Sequence, residues 1–238
     1  MAAVELEFIG VSKRYDGRYA LRDVDLSLAT GSALGLLGPN GAGKTSALRM
    51  LLGFTRASAG TVRLQGRPPA DPASRVGVAY LPERLTLPSR MTVRCFLRHH
   101  AALAGMTGAA LERDVDAVLE QTDLSARALD RIGSLSKGLT QRVGFAQVFL
   151  AEPRLMILDE PTSGLDPIGV RDARDWILAA RKRGCSILVS SHLLSEVERT
   201  CDRVAIIDEG VLVTQGRLEE VVGAGETLED AFVRLVRK

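Results

Sequence analysis

Residues 38–45 read GPNGAGKT and satisfy G-x-x-x-x-G-K-[ST] at every fixed position. The flanks matter as much as the motif. The apolar run SALGLLG leads into it, and a helix-forming run from about Lys44 to Leu52 follows. Strand, glycine-rich turn and helix start, in that order, commit the chain to an α/β fold built around an anion site. The glycines let backbone N–H groups wrap a β-phosphate. Lys44 brings a cation to the β/γ oxygens, and Thr45 a hydroxyl to Mg²⁺. The candidate phosphate site is therefore Gly38, Pro39, Asn40, Gly41, Ala42, Gly43, Lys44, Thr45 and Ser46.

A second helix start asks for an anion far downstream. LSKGLTQRVGFAQ opens on Ser136-Lys137-Gly138, where glycine permits close approach and free N–H groups suit a negative charge. Between the two lies a change of texture. VELEFI and VDLSL (Val24 to Leu28) alternate apolar and polar residues and read as an antiparallel β layer, with turns at Asp16-Gly17 and Thr30-Gly31. RVGVAYLP is a further strand. Beyond Pro82 helices take over: Thr92 is an N-cap for VRCFLRHHAALAG, and Leu111, Val115, Val118 and Leu119 recur at helical spacing. From Arg154 the strands LMILDE, SILVSSH and RVAIIDEG return, with a helix from about Pro167 to Lys182. The reading is an α/β core interrupted by a helical insert over Glu83 to Glu152.

LMILDE sets Asp159 at the end of a buried strand, the form of a second Mg²⁺-holding acid. Adjacent strand residues point opposite ways, so Glu160 does not simply duplicate it. Glu160 is placed to orient and deprotonate an attacking water; the plainer alternative is a turn or capping carboxylate.

Composition narrows the partners. With 31 basic and 29 acidic residues the net charge is +2, no footprint for nucleic acid. Cys95, Cys185 and Cys201 have no metal-like spacing and read as reduced, small core residues of a cytosolic protein. The start MAAVELEFIG lacks a signal-peptide pattern, and no apolar run approaches the ~20 residues of a spanning helix. The expectation is a chain that does not cross a membrane itself.

Taken in order, these motifs resemble the nucleotide-binding subunit of ABC transporters, from about Leu6 to the last residues. Tyr15 in SKRYDG matches the family's adenine-stacking aromatic, LSKGL (Leu135 to Leu139) its signature Leu-Ser-Gly-Gly-Gln, SGLD (Ser163 to Asp166) its dimer-crossing loop, and His192 its γ-phosphate switch histidine. His99 and His100 keep the reading of a solvated helix face. The resemblance implies ATP and Mg²⁺ as cofactors, with Thr45, Asp159 and Glu83 toward the metal and Glu160, His192 and Glu83 in catalysis. It implies head-to-tail pairing with a second copy or a homologous ATPase subunit, so that the two helix starts read phosphates of different ATP molecules. Ser136, Lys137, Gly138 and Asp166 would then act across the interface. It also implies an integral-membrane permease partner and a cytoplasmic, peripheral location on the inner face of the membrane.

The fold implied is α/β, a P-loop NTPase core of ABC type with an N-terminal antiparallel β layer and an inserted helical subdomain. Residues 1–82 and 153–215 would form the core, 83–152 the signature subdomain and 216–238 a helical tail. Three positions depart from the family: Lys137 replaces the first signature Gly, Leu139 replaces its Gln, and Glu83 stands where Gln is usual. Lys137 would add positive charge near the phosphate. Glu83, Lys137 and TLEDAFVRLV together resemble an exporter class that pairs with separately encoded six-helix permeases.

A soluble relative acting on DNA or the ribosome is the alternative. The interval from Thr45 to Leu135 holds no sustained heptads for a DNA-holding arm, and only one set of motifs is present where ribosome-acting relatives carry two. A small-molecule P-loop kinase would leave LSKGL and SGLD unused. RLTLPSRMTVRCFL (Arg84 to Leu97) gathers Leu85, Leu87, Pro88 and Met91 and is expected to expose them as the surface that receives the permease.

Overall fold

The apolar run before the phosphate loop becomes β3 (Ala33–Leu37), with all five residues buried. In the computed structural model, which describes residues 4–237, β3 lies inside a six-stranded sheet. Its neighbours are β5 (Val78–Leu81), β6 (Leu155–Asp159), β7 (Ser186–Ser190), β8 (Arg203–Asp208) and β9 (Val211–Arg217), in the spatial order β5-β6-β7-β3-β8-β9. The first five run parallel and β9 closes one edge antiparallel. Strands β6 and β7 are buried along their whole length, like β3, as strands covered on both faces must be.

A second, antiparallel sheet of order β2-β1-β4 is formed by β1 (Val4–Tyr15), β2 (Arg18–Ala29) and β4 (Ala59–Leu64). Its inward residues, among them Leu6, Phe8, Val11, Leu26 and Leu28, form one core with α1 (Lys44–Leu51) and one face of the large sheet. The sequence reading missed β4 because AGTVRL is largely exposed and shows no clear alternation. It also missed β9, which carries the core two residues past the expected boundary at 215.

The other face of the large sheet carries the helices: α2 (Val93–Leu103), α3 (Gly108–Gln121), α4 (Lys137–Phe149), α5 (Pro167–Lys182) and α6 (Leu194–Thr200). The chain ends in α7 (Leu218–Val221) and α8 (Leu228–Val236). Gly35 shows why glycine stands in the middle of β3: a Cβ there would run into Val197 of α6. Phe145 and Phe149 of α4 meet Trp176 of α5 at 5.3 and 6.3 Å, mostly edge-on. Arg142 lies over the same indole at 5.3 Å and pairs with Asp172. The helix after SGLD and the helix of LSKGL are thus packed as one unit.

Cys185 and Cys201 are core residues as expected, and burial pushes their thiols up to about 11 and about 12. Cys95 is exposed on α2, against the core reading. His100 departs likewise from a solvated face: it is half-buried with its ring 4.4 Å from Phe96, and burial lowers its pKa.

Candidate functional site

Open parallel sheets bind ligands beyond the carboxyl ends of their strands. Four adjacent strands here each deliver one piece of a site at that edge. β5 ends two residues before Glu83, β6 ends in Asp159 with Glu160 next, β7 ends in Ser190 before Ser191 and His192, and β3 opens into residues 38–43. Together they line a cavity of about 480 Å³. Every residue from Gly38 to Ser46 is in its wall, as are Glu83, Asp159, Glu160 and His192.

The loop is shaped by backbone constraints that glycine alone meets. Gly43 has φ +110, and a Cβ there would press on the Ala20 carbonyl and come within 2.7 Å of Leu21 Cδ2. Gly43→Ala is expected to lower stability by about 1–3 kcal/mol, the cost of a strained backbone site, and to reduce ATP binding with it. Thermal melting and calorimetric titration check this; an unchanged melting temperature would refute it.

Lys44 opens α1 yet is only 7% exposed. Its ammonium donates to the carbonyls of Gly38 at 2.6 Å and Pro39 at 3.1 Å. Burial lowers its pKa, while the carboxylates of Glu160, Asp159 and Glu83 oppose that shift. Asp159, 4% exposed, is pushed the other way: burial raises it, Glu83 and Glu160 add to the rise, and the Ser190 hydroxyl and Lys44 counter it. Asp159, Glu160 and Glu83 line the same cavity as Lys44 and the Thr45 hydroxyl. Among the described residues no three such side chains gather into a metal cage; a carboxylate and a hydroxyl that supply only part of a shell suit Mg²⁺, which keeps waters and substrate phosphates as its other ligands.

Glu160 reaches the cavity by a route that strand alternation did not anticipate. Its φ is +48, so the chain turns out of the strand and both carboxylates face the same space. The Glu160 N–H donates to the Ser190 carbonyl at 2.8 Å, which holds the turn. Glu160 Oε2 lies 2.7 Å from His192 Nδ1, 3.4 Å from the His192 amide and 3.5 Å from Ser191 Oγ. A carboxylate accepts, so the imidazole hydrogen is assigned to Nδ1.

The remaining expected residues lie apart from this cavity. Tyr15 is not in its wall: it ends β1, is 43% exposed, and carries the Lys13 ammonium over its ring at 4.7 Å. Ala20, farther along the same hairpin, is the residue that lines the cavity. Ser136 caps α4 by accepting from the Leu139 amide at 3.3 Å. Lys137 lies across Gly164 of the SGLD loop, so the charge expected near a phosphate rests in this structure on its own chain. Among the described residues nothing beyond its chain neighbours and its own helix backbone comes within 4 Å of where a Gly138 Cβ would be, which leaves that face open. Asp166 caps α5, accepting from the Gly169 amide at 2.7 Å.

Several residues of the site were not found from the sequence, among them Ala20, Ser190 and Ser191 of the cavity wall. Phe232 of α8 and Leu194, at the start of α6, line the cavity beside His192. Buried Gln141 of α4 donates to the Pro161 carbonyl at 2.8 Å, tying the LSKGL helix to the turn that carries Glu160. Its two-residue distance from Leu139 was the available signal.

This fold and this loop define a P-loop nucleotide-binding protein. A model of the family described as "ABC transporter" matches residues 21–163, and the chain belongs to that family. It is 38% identical, over 88% of its length, to an ABC transporter ATP-binding protein of Synechocystis, and 36% identical, over 91% of its length, to the Nod factor export ATP-binding protein I of Burkholderia orbicola. It covers 60% of the first relative and 72% of the second. Against the Synechocystis protein and one from Nostoc (63%), the chain spans about three-fifths of the relative's length. Among solved structures, the ATP binding subunit of an ABC transporter superposes with TM-score 0.90 at 31% identity, covering 97% of this chain and 98% of that one. CbiO1 of Clostridium perfringens, part of the complex cbiONQ, superposes with TM-score 0.82 at 27% identity, covering 92% and 90%.

Proposed function

We propose that this chain hydrolyses ATP to power a membrane transporter, as the ATPase subunit of an exporter. The observation that carries the reading is Glu160 held at 2.7 Å by His192 in the same cavity as the phosphate loop. Backbone N–H groups of the loop and Lys44 bind the β- and γ-phosphates. Thr45 and Asp159 would hold Mg²⁺, with an oxygen from Glu83, and the metal would neutralise phosphate charge. All three contacts to the Glu160 carboxylate go to Oε2, so Oε1 is the atom that takes the proton of the attacking water. Tyr15 stacks on adenine at the open end.

In the single chain Ser136, Lys137 and Gly138 are not in the wall of the cavity. A second copy, paired head to tail, brings Ser136, Lys137, Gly138 and Asp166 to it, the α4 dipole aiding. Ser136→Arg should spare ATP binding by the monomer and block ATP-driven pairing. Mixed with Lys44→Ala, it leaves one site with an intact loop facing an intact signature. Pairing above that of either variant alone, read by gel filtration with ATP, supports the arrangement; loss of ATP binding in Ser136→Arg alone would place the signature in cis and defeat it.

Transport requires a surface for the permease. Among the described residues no helix is long and apolar enough to cross a membrane, which supports a peripheral subunit on the cytoplasmic face. Residues 83–152 form the unit that meets the permease. Leu85, Leu87 and Met91 are only partly exposed and pack against the core, which corrects the expectation of a freely exposed cluster. Their outer sides, with Tyr80, Phe96, His99 and His100, line a groove of about 450 Å³. Leu87→Asp should abolish co-purification with the permease while ATPase activity of the isolated subunit stays near normal. An intact complex, or an unfolded isolated variant, would remove this groove from docking. The similarity to Nod factor export proteins supports export as the direction.

A further inference from the structure

Ser190 is 1% exposed at the carboxyl end of β7, with Asp159 as its register partner on β6. Its backbone carbonyl is taken by the Glu160 amide. Its Oγ is the one buried side-chain oxygen or nitrogen among the described residues without a hydrogen-bond partner. The next serine behaves differently: Ser191 Oγ accepts from the Leu193 amide at 3.0 Å and so serves the loop.

A buried hydroxyl left unmade costs about 1–3 kcal/mol, and alanine at this place would avoid the cost. Such an orphan in a native interior calls for a partner that arrives with function. Ser190 lines the cavity of the phosphate loop. Parallel register sets the Ser190 side chain beside that of Asp159 on the same side of the sheet, and no hydrogen bond joins the two.

We propose that Ser190 is a positioning residue for the metal–nucleotide complex, its Oγ–H closing onto one oxygen of the Asp159 carboxylate when the other oxygen takes up Mg²⁺. This rests on the reading of Asp159 and Thr45 as Mg²⁺ ligands. Asp159 and Thr45 would hold Mg²⁺, and the hydroxyl would fix which Asp159 oxygen is left to face it. Hydrogen bonds of this kind to ligating carboxylates orient the ligand and are worth about 10- to 100-fold in metal affinity.

The test is calorimetric titration of the full chain with ATP, once with excess Mg²⁺ and once with EDTA, for the wild type, Ser190→Ala and Ser190→Thr. Affinity in EDTA should be the same in all three, which also establishes that the variants fold and keep the phosphate loop. The gain in affinity on adding Mg²⁺ should shrink about tenfold in Ser190→Ala and return in Ser190→Thr, which restores the hydroxyl. A gain kept whole in Ser190→Ala overturns the role of Ser190 and leaves the metal site standing. No Mg²⁺-dependent gain in the wild type overturns the metal site, and the role of Ser190 with it. A loss of affinity in EDTA in Ser190→Ala that Ser190→Thr shares makes the residue structural and also overturns the proposal.

Discussion

Glu160→Gln is expected to bind ATP as the wild type does and to hydrolyse it about 10²- to 10⁴-fold more slowly, the loss of a general base. The amide oxygen still accepts the hydrogen of His192 Nδ1, which now lies 2.7 Å from Oε2, so the side chain stays in place. What disappears is the ability to hold the proton of the attacking water. The Ser190 carbonyl continues to hold the turn through the residue-160 amide. Closure then outlasts its trigger, and the variant should elute as an ATP-dependent dimer on gel filtration. Single-turnover hydrolysis measures the rate directly. Turnover at the wild-type rate would take Glu160 out of the chemistry and leave it the turn carboxylate that the sequence also allowed.

Lys44→Ala should cost ATP affinity on the order of 10²-fold or more, by the 2–5 kcal/mol that accompanies loss of one partner from a buried charge pair. The ammonium is the cation the loop itself supplies, and the carboxylates of Glu160, Asp159 and Glu83 line the same cavity. Without it, Asp159, Glu160 and Glu83 face the phosphates uncompensated. The loop also loses the bonds from Nζ to the Gly38 and Pro39 carbonyls. Affinity should fall with Mg²⁺ present as well as absent, which separates this variant from Ser190→Ala. Titration calorimetry reads the loss, and circular dichroism checks that the fold persists. Unchanged affinity would mean that the loop binds phosphate through its backbone alone.

The parts of this molecule legible in its sequence are those fixed within a few residues. GPNGAGKT states its own turn and helix start, because positive φ at Gly43 and the first free N–H groups of α1 are local facts. Pro167–Lys182 forms a helix over the very residues its pattern proposed, with Asp166 as cap. The buried runs of β3, β6 and β7 are plain from three to five apolar residues in succession. Elements with mixed exposure, β4 and β9, and the short α6 escaped because no clear period marks them.

What only the tertiary structure decided is which of these pieces meet. Glu83, Asp159, Ser190 and Gly38 share one cavity because the sheet runs β5-β6-β7-β3, an order set by packing and crossovers between distant segments. Alternation along β6 told of opposite faces for Asp159 and Glu160; a left-handed backbone at residue 160, held by the β7 carbonyl, brought them to one. Lys137 rests on Gly164, Phe232 closes the wall beside His192, and Ser190 is left without a partner, each through contacts between segments far apart in the chain. Periodicity and motif report the few residues around a position. Distances across a sheet depend on the free energy of the whole packed arrangement, which no local pattern encodes.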